Sequence, residues 1–271
     1  MAKILGVDRR AVLSAAAGGM TLGLGAPWGV AAAAVPQSKT FVLVHGAFHG
    51  GWCWRRVADR LERKGHKVYT PTLTGLADRS HLMSGLITLD THAADVANLI
   101  QWEDLKDVVL VGHSYGGFVI SLAAEMVPGA IASIVFLDAD VPEDGQSIAD
   151  MVDATGRAYL LGFIDRNLVS RPPPPARSFG ILSSADQAWV DAKLTSQPTH
   201  LAIEPIRLTG ARDRIAKKTY IRAPSWPLAL FDRHLEKLKA DPSWRTYEIA
   251  GGHDSMIDVP DRLTEILLEV A

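Results

Sequence analysis

The heptapeptide VGHSYGG at residues 111–117 follows the apolar run DVVLV at 107–111 and precedes FVISLAAEM at 118–126. Its core has the pattern G-x-S-x-G, which places a serine at a sharp turn between a buried strand and a helix. Such a turn forces the serine into a strained backbone conformation, and the flanking glycines let strand and helix approach closely. The hydroxyl of Ser114 then projects above the sheet, near the positive end of the following helix. The pattern predicts that Ser114 is a nucleophile.

Short apolar runs alternate with helical spacing along most of the chain. We predict strands at 40–44, 67–70, 107–111, 131–137, 218–221 and 245–249, and helices at 52–64, 89–103, 118–126 and 260–270. This alternation predicts an α/β fold with a mostly parallel central sheet and helices on both faces. Residues 141–217 break the alternation and contain four consecutive prolines at 172–175, which do not fit a regular helix or a sheet interior. We interpret residues 141–217 as a cap insertion over one edge of the sheet.

The composition excludes several functional classes. The chain has 271 residues, 48% of them hydrophobic, and a net charge of −2, so neither disorder nor a nucleic-acid-binding charge pattern is expected. Its one cysteine, Cys53, excludes an intramolecular disulfide and a cysteine-rich metal site.

The first 34 residues have the parts of an export signal. Arg9 and Arg10 precede a weakly hydrophobic, glycine-rich run at 11–24, and four alanines at 31–34 supply a small-residue cleavage site. The arginine pair resembles the twin-arginine type of signal. We predict a signal peptide at 1–34, a mature domain at 35–271, and export to the periplasm or the medium. The run is shorter than the ~20 residues of a membrane span, so no stable membrane insertion is expected.

A nucleophilic serine needs a general base, because its hydroxyl is mostly un-ionised at neutral pH. His253 follows the last predicted strand, so it is expected at the same carboxyl-terminal sheet edge as Ser114. A serine early in the chain and a histidine near its end also fit the chain order of this type of site. We predict His253 as the base, with His45, His49 and His113 supporting the architecture of the site.

These motifs carry a family likeness. From about residue 39 to residue 271 the chain resembles the α/β-hydrolase superfamily. HGAFHGGWCW at 45–54 resembles the branch that holds plant methylesterases and hydroxynitrile lyases. TLTGLADRSHL at 72–82 and LDA at 137–139 resemble a bacterial esterase subgroup of that branch.

The resemblance implies an oxyanion hole formed by the backbone N–H groups of Ala47 and Tyr115. Position 115 agrees with a separate physical expectation. The residue after the nucleophile lies at a helix N-terminus, where backbone N–H groups are free. The loop after the first strand would supply the second donor.

The position of the acid that should orient His253 departs from the pattern of the plant relatives. The plant relatives place an aspartate in the loop after the strand predicted at 218–221, but this chain has RAPSWP at 222–227, without a carboxylate. Some haloalkane dehalogenases instead carry an acid at the end of the preceding core strand. We therefore predict Asp138 as the acid, with Asp140 and then Asp232 as alternatives.

The predicted reaction is hydrolysis of a small carboxylic ester through an acyl-enzyme on Ser114, without a metal or an organic cofactor. Lactone or amide hydrolysis would use the same groups. Hydroxynitrile lyase chemistry is disfavoured, because the resemblance would require a lysine and a hydroxyl residue where this chain has Asp254 and Ala47. The alternative from another class is a small-molecule-binding protein with little turnover. The sequence contains no signal for the oligomeric state.

Overall fold

The computed structural model of the protein describes residues 38–271. The predicted signal peptide and its cleavage site lie outside the described residues, so the signal, the start of the mature domain and the export remain predictions. Among the described residues, no helix is both long enough and apolar enough to span a membrane.

Eight strands lie in the described part of the chain. They are β1 (Thr40–Val44), β2 (Lys67–Tyr69), β3 (Val108–His113), β4 (Ile131–Leu137), β5 (Ser170–Arg171), β6 (Gln197–Pro198), β7 (Lys217–Arg222) and β8 (Trp244–Glu248). Six of them form one parallel sheet in the order β2-β1-β3-β4-β7-β8, whereas β5 and β6 pair as a separate antiparallel ribbon. The mostly parallel sheet that the alternation predicts is therefore confirmed.

Nine α-helices accompany these strands. They are α1 (Arg55–Arg63), α2 (Leu89–Trp102), α3 (Gly116–Met126), α4 (Ile148–Met151), α5 (Ala154–Asp165), α6 (Ser184–Asp191), α7 (Ala229–Lys239), α8 (Ser255–Asp258) and α9 (Pro260–Val270). Several predicted boundaries shift by one to three residues, and two of these shifts have a clear cause. The first helix begins at Arg55 because a 3₁₀ turn at Gly51–Trp54 precedes it, and β3 continues to His113 because that residue still pairs with Leu137.

The sheet has two apolar faces, and each packs on its own set of helices. In β1, Val42 belongs to the core cluster that contains residues of α2 and α3. Leu43 belongs to the cluster that contains residues of α1 and α9. Successive strand side chains point to opposite faces, so continuously apolar strands such as β1 and β3 need a helical layer on each side. Both layers are present, as the sequence predicts.

Residues between β4 and β7 hold α4, α5, α6 and the β5–β6 ribbon. This segment coincides with the insertion predicted at 141–217. The four prolines follow β5 and lead into a 3₁₀ turn at Ala176–Phe179, outside any regular helix or sheet. The ribbon is tied to the loop after β1, because the backbone N–H of Phe48 donates to Gln197 Oε1 over 3.1 Å.

Candidate active site

Ser114 lies at the predicted sharp turn between β3 and α3. Its φ of 55° is left-handed, which is costly for a residue with a side chain and is characteristic of functional positions. Its backbone N–H donates to the carbonyl of Leu137 over 3.2 Å, which fixes the turn to the end of β4. A Cβ at Gly112 would lie 2.7 Å from the carbonyl oxygen of Gly116, so the close approach of strand and helix requires glycine. The local geometry predicted for this turn is present.

The loop after β1 passes directly beside the serine. A Cβ on Gly46 would lie 2.8 Å from Ser114 Cβ, so only glycine fits there. Ala47 and Tyr115 both line the cavity above Ser114. Among the described residues, no acceptor takes the backbone N–H of either one. These are the two donors that the resemblance implies for an oxyanion hole, and both remain free for a ligand oxygen.

Two buried histidines hold the carbonyl groups of this loop. His45 Nδ1 donates to the Gly46 carbonyl and His49 Nδ1 donates to the Ala47 carbonyl, each over 2.8 Å. Burial lowers the pKa of His45 to about 3, so it is a neutral ring whose Nε2 accepts from the Leu73 N–H over 3.0 Å. Because the carbonyls are held, the Ala47 N–H keeps its direction. The supporting role predicted for these histidines agrees with the contacts.

Asp254 neutralises the second of these histidines. Its Oδ2 lies 3.0 Å from His49 Nε2, and both side chains are buried. Burial alone would raise the pKa of Asp254, but the positive charge of His49 outweighs it and lowers the pKa to about 2. Asp254 thus supports residues 45–49, the loop that carries the expected oxyanion donor Ala47 (the oxyanion loop).

His253 and Asp138 meet at the carboxyl edge of the sheet. His253 Nδ1 lies 2.7 Å from Asp138 Oδ2, and both side chains are buried. A carboxylate only accepts, so Nδ1 carries the proton and Nε2 is left with its lone pair. The ring also stacks on Trp226, with centroids 4.2 Å apart, and Trp226 lines the same cavity as Ser114. Within residues 38–271, no hydrogen bond joins the Ser114 hydroxyl to His253, and such contacts are often long without substrate.

The three carboxylates considered for the acid have different surroundings. Asp138, at φ 42°, is the one in contact with His253. Asp232 lies in α7, is 52% exposed, and pairs with Arg222. Asp140 lines the cavity, and burial together with the charge of Asp138 raises the pKa of its carboxyl to about 7. The geometry favours the first choice made from the sequence.

Arg222 is the residue of this site that the sequence did not reveal. It ends β7, its side chain is fully buried, and its Nη1 lies 2.7 Å from Asp138 Oδ1. The N–H of Ala223 donates to the same oxygen over 3.0 Å. Burial by itself would lower the pKa of Arg222, but the ion pairs with Asp138 and Asp232 raise it. Its only signal in the sequence was a cation at the active edge of an otherwise apolar strand end.

We expect Arg222→Met to destabilise the fold by about 3–5 kcal/mol, because it leaves the Asp138 carboxylate buried with one positive partner fewer. Urea unfolding at pH 7 measures the loss. Asp232→Asn is the matched control, since it removes only the half-exposed partner of Arg222 and should cost less than about 1 kcal/mol. Equal losses in the two variants would contradict the importance of the buried pair.

The cavity above Ser114 has a volume of about 390 Å³. Its wall combines the sheet edge, the insertion and α7, and its apolar members include Ile148, Met151, Leu228 and Phe231. That volume lies in the range of small-molecule sites. Among residues 38–271, no group of three or more His, Cys, Asp or Glu side chains is arranged to hold a metal ion.

Comparisons with known proteins agree with this architecture. The model of the alpha/beta hydrolase family matches residues 41–266. The carbendazim hydrolyzing esterase of Nocardioides sp. (strain SG-4G) is 37% identical over 236 residues, which cover 84% of this chain and 97% of that protein.

More distant relatives come from plants and from another bacterium. The putative chloroplastic methylesterase 11 of Arabidopsis thaliana is 28% identical, over 87% of this chain and 64% of that protein. The solved extracellular alpha/beta-hydrolase from a Paenibacillus species superposes with a TM-score of 0.76 at 27% identity, over 86% of this chain and 99% of that one. The chain therefore belongs to the alpha/beta hydrolase family, as an esterase or related hydrolase similar to the carbendazim esterase and the plant methylesterases.

Proposed function

We propose that this protein hydrolyses a small carboxylic ester by a serine mechanism, with Ser114 as nucleophile, His253 as base and Asp138 as the acid that orients it. The observation that carries the proposal is the 2.7 Å contact between His253 Nδ1 and the buried Asp138 carboxylate. That contact selects the histidine tautomer whose Nε2 accepts a proton, which is what activation of a serine requires.

In the first half of the reaction, Ser114 Oγ attacks the ester carbonyl carbon while His253 Nε2 takes the hydroxyl proton. The negative charge that develops on the carbonyl oxygen is stabilised by the N–H groups of Ala47 and Tyr115. One such donor typically lowers a barrier by ~3–4 kcal/mol. Collapse of the intermediate breaks the bond to the alkoxy oxygen, which receives the proton from His253 and leaves as the alcohol.

In the second half, water enters the position that the alcohol vacated. His253 Nε2 takes a proton from this water, whose oxygen attacks the acyl carbon in the same oxyanion site. The bond to Ser114 Oγ then breaks, and the serine recovers its proton from His253. The carboxylic acid is released, so one ester and one water give one alcohol and one acid.

The substrate class follows from the size of the cavity and from the relatives. A volume of about 390 Å³ holds a small ester but not a polymer segment. The bacterial relative is a carbendazim hydrolyzing esterase and several plant relatives are named methylesterases. We therefore propose esters with a small alcohol or acyl part, with carbendazim included among the compounds to test.

Two assays of the purified protein test this proposal. Hydrolysis of p-nitrophenyl acetate, butyrate and octanoate should be detected, with the longest chain turned over most slowly because of the cavity volume. A fluorophosphonate, which phosphonylates activated serines, should add one equivalent to the protein and abolish turnover. Peptide mapping should locate the adduct on Ser114. A folded protein that neither hydrolyses any ester nor reacts with the fluorophosphonate would refute the proposal.

A further inference from the structure

An arginine of the insertion lines the cavity above the nucleophile. Arg171 lies in β5, its side chain is partly buried, and it belongs to the same cavity wall as Ser114, Ala47 and Tyr115. Its Nε is fully shielded from solvent and donates no hydrogen bond to any residue of the described chain. A buried donor without a partner costs free energy, so the guanidinium is not fixed by a protein acceptor at this atom. Its two Nη groups also donate to no residue of the described chain and are not shielded, so they are available to a molecule that binds in the cavity.

No protein carboxylate neutralises this cation. Across residues 38–271, no ion pair reaches the Arg171 guanidinium, and burial lowers its pKa to about 10 with only Tyr159 and Tyr115 acting in the opposite direction. The other buried arginine of the site, Arg222, has two carboxylate partners. Arg171 is thus positively charged at neutral pH, partly desolvated, and without an ion-pair partner among the described residues.

The position of Arg171 is held by several contacts to the oxyanion loop. Its guanidinium carbon lies 4.5 Å from the ring centroid of Phe48, the residue that follows Ala47. Phe48 accepts a backbone hydrogen bond from Thr195 over 2.9 Å and donates one to the side chain of Gln197. Gln197 is the direct β-ribbon partner of Arg171. The cation is therefore fixed relative to the expected oxyanion donors and does not lie on a free surface loop.

The other charged residues that line this cavity do not provide a buried cation for a ligand. Asp153 Oδ1 caps α5 by accepting from the Gly156 N–H over 2.7 Å. Asp140 lies beside Ser114, and its backbone N–H donates to the Ser114 carbonyl over 3.2 Å. Arg233 is exposed on α7. Arg171 is therefore the more buried of the two cations that line this cavity.

We propose that Arg171 binds a carboxylate of the substrate, so that the ester cleaved at Ser114 belongs to a molecule that also carries a free carboxylate. This inference rests on the proposed function and narrows its substrate class. A planar guanidinium offers two parallel donors that match a carboxylate. One unpaired cation balances one negative charge, which fits a carboxylate better than a doubly charged phosphate.

Rigid aromatic esters test the proposal without internal catalysis by the added group. For the alcohol side, 3-carboxyphenyl acetate is compared with 3-carbamoylphenyl acetate. For the acyl side, monomethyl isophthalate is compared with methyl 3-carbamoylbenzoate. In at least one pair, the carboxylate should have the higher kcat/KM by about 10- to 100-fold, the usual effect of a hydrogen bond to a charged group. Equal kcat/KM values within both pairs would overturn the inference.

Substitutions then assign the preference to a residue. Arg171→Met should remove the preference by slowing only the carboxylate ester, and Arg171→Lys should keep part of it. Arg233→Met, which removes the exposed cation of the same cavity, should leave the preference unchanged. A loss that follows Arg233 would refute the role of Arg171. So would an equal slowing of charged and neutral esters in Arg171→Met, which would indicate an effect on the oxyanion loop alone.

Binding to the inactive variant Ser114→Ala separates this inference from the proposed function. Calorimetry with 3-carboxyphenyl acetate and its carbamoyl analogue should show tighter binding of the carboxylate, and the additional change Arg171→Met should remove the difference. Turnover of neutral esters without any carboxylate preference would defeat the inference and leave the ester hydrolase intact. Arg171-dependent carboxylate binding by a protein that hydrolyses no ester would support the binding role of Arg171 and defeat the proposed ester hydrolysis.

Discussion

Replacing Ser114 with alanine is expected to lower kcat for p-nitrophenyl butyrate by about 10⁶-fold, the scale seen when a serine hydrolase loses its nucleophile. The variant should bind substrate with little change, because the oxyanion donors and the cavity wall remain. Its fold should also persist, because alanine keeps a Cβ at the same φ of 55° and the Ser114 hydroxyl makes no hydrogen bond to a residue of the described chain. Initial rates at saturating ester measure the effect, and the fluorophosphonate adduct should disappear.

Ser121→Ala provides the matched control for this substitution. Ser121 is a buried serine in α3, whose hydroxyl donates to the Gly117 carbonyl over 2.7 Å, so it lies close to the turn without lining the cavity. Its replacement should leave kcat within a factor of a few. A Ser114→Ala protein that keeps more than about one hundredth of the wild-type kcat would exclude the acyl-enzyme mechanism.

Replacing Asp138 with asparagine is expected to lower kcat by about 10⁴-fold. The amide would be able to donate to His253 Nδ1, and this would favour the tautomer with the proton on Nε2, which cannot accept from Ser114. The 2.7 Å contact makes the choice of tautomer depend on this one side chain. Ester hydrolysis between pH 6 and 9 measures the loss, with circular dichroism to verify the fold beside the buried Arg222.

Asp140 and Asp232, the two other carboxylates considered for the acid, provide the control variants for Asp138→Asn. Asp140→Asn and Asp232→Asn should each reduce kcat by less than about tenfold, since neither side chain contacts His253. A loss of about 10⁴-fold in Asp140→Asn, with Asp138→Asn close to wild type, would transfer the role of the acid to position 140. The ranking of the three variants therefore decides an assignment that the sequence left open.

The sequence predicts the sheet and the serine turn well because both signals are local. A continuously apolar strand such as β1 or β3 has to be covered on both faces, whatever the rest of the chain does. The turn at Ser114 follows from sterics between Gly112 and Gly116, which are neighbours in the chain. The end of β3 is misplaced for a non-local reason, because its extra residues Gly112 and His113 are held by pairing with β4 and not by their own preference.

For contacts between residues far apart in the chain, the sequence could only rank the candidate partners. Asp138 and His253 are 115 positions apart, and no periodicity relates one to the other. The order β3-β4-β7-β8 places the ends of β4 and β7 beside the loop that follows β8. This arrangement brings the carboxylate, the histidine and Arg222 together. The cation at position 222 could not be given a role before that arrangement was known, because its role depends on which carboxylate it faces.

The sequence by itself determined that this chain builds a parallel sheet with a strained serine at its carboxyl edge and a histidine that follows its last strand. These features depend on residue size, apolar spacing and turn sterics over a few positions. Only the tertiary structure decided that Asp138 contacts His253, that Arg222 is buried against it, and that Arg171 reaches the cavity without a partner. The charge partners of a buried side chain are set by the packing of distant segments, because desolvation makes each pairing depend on every group that shares the same enclosed space.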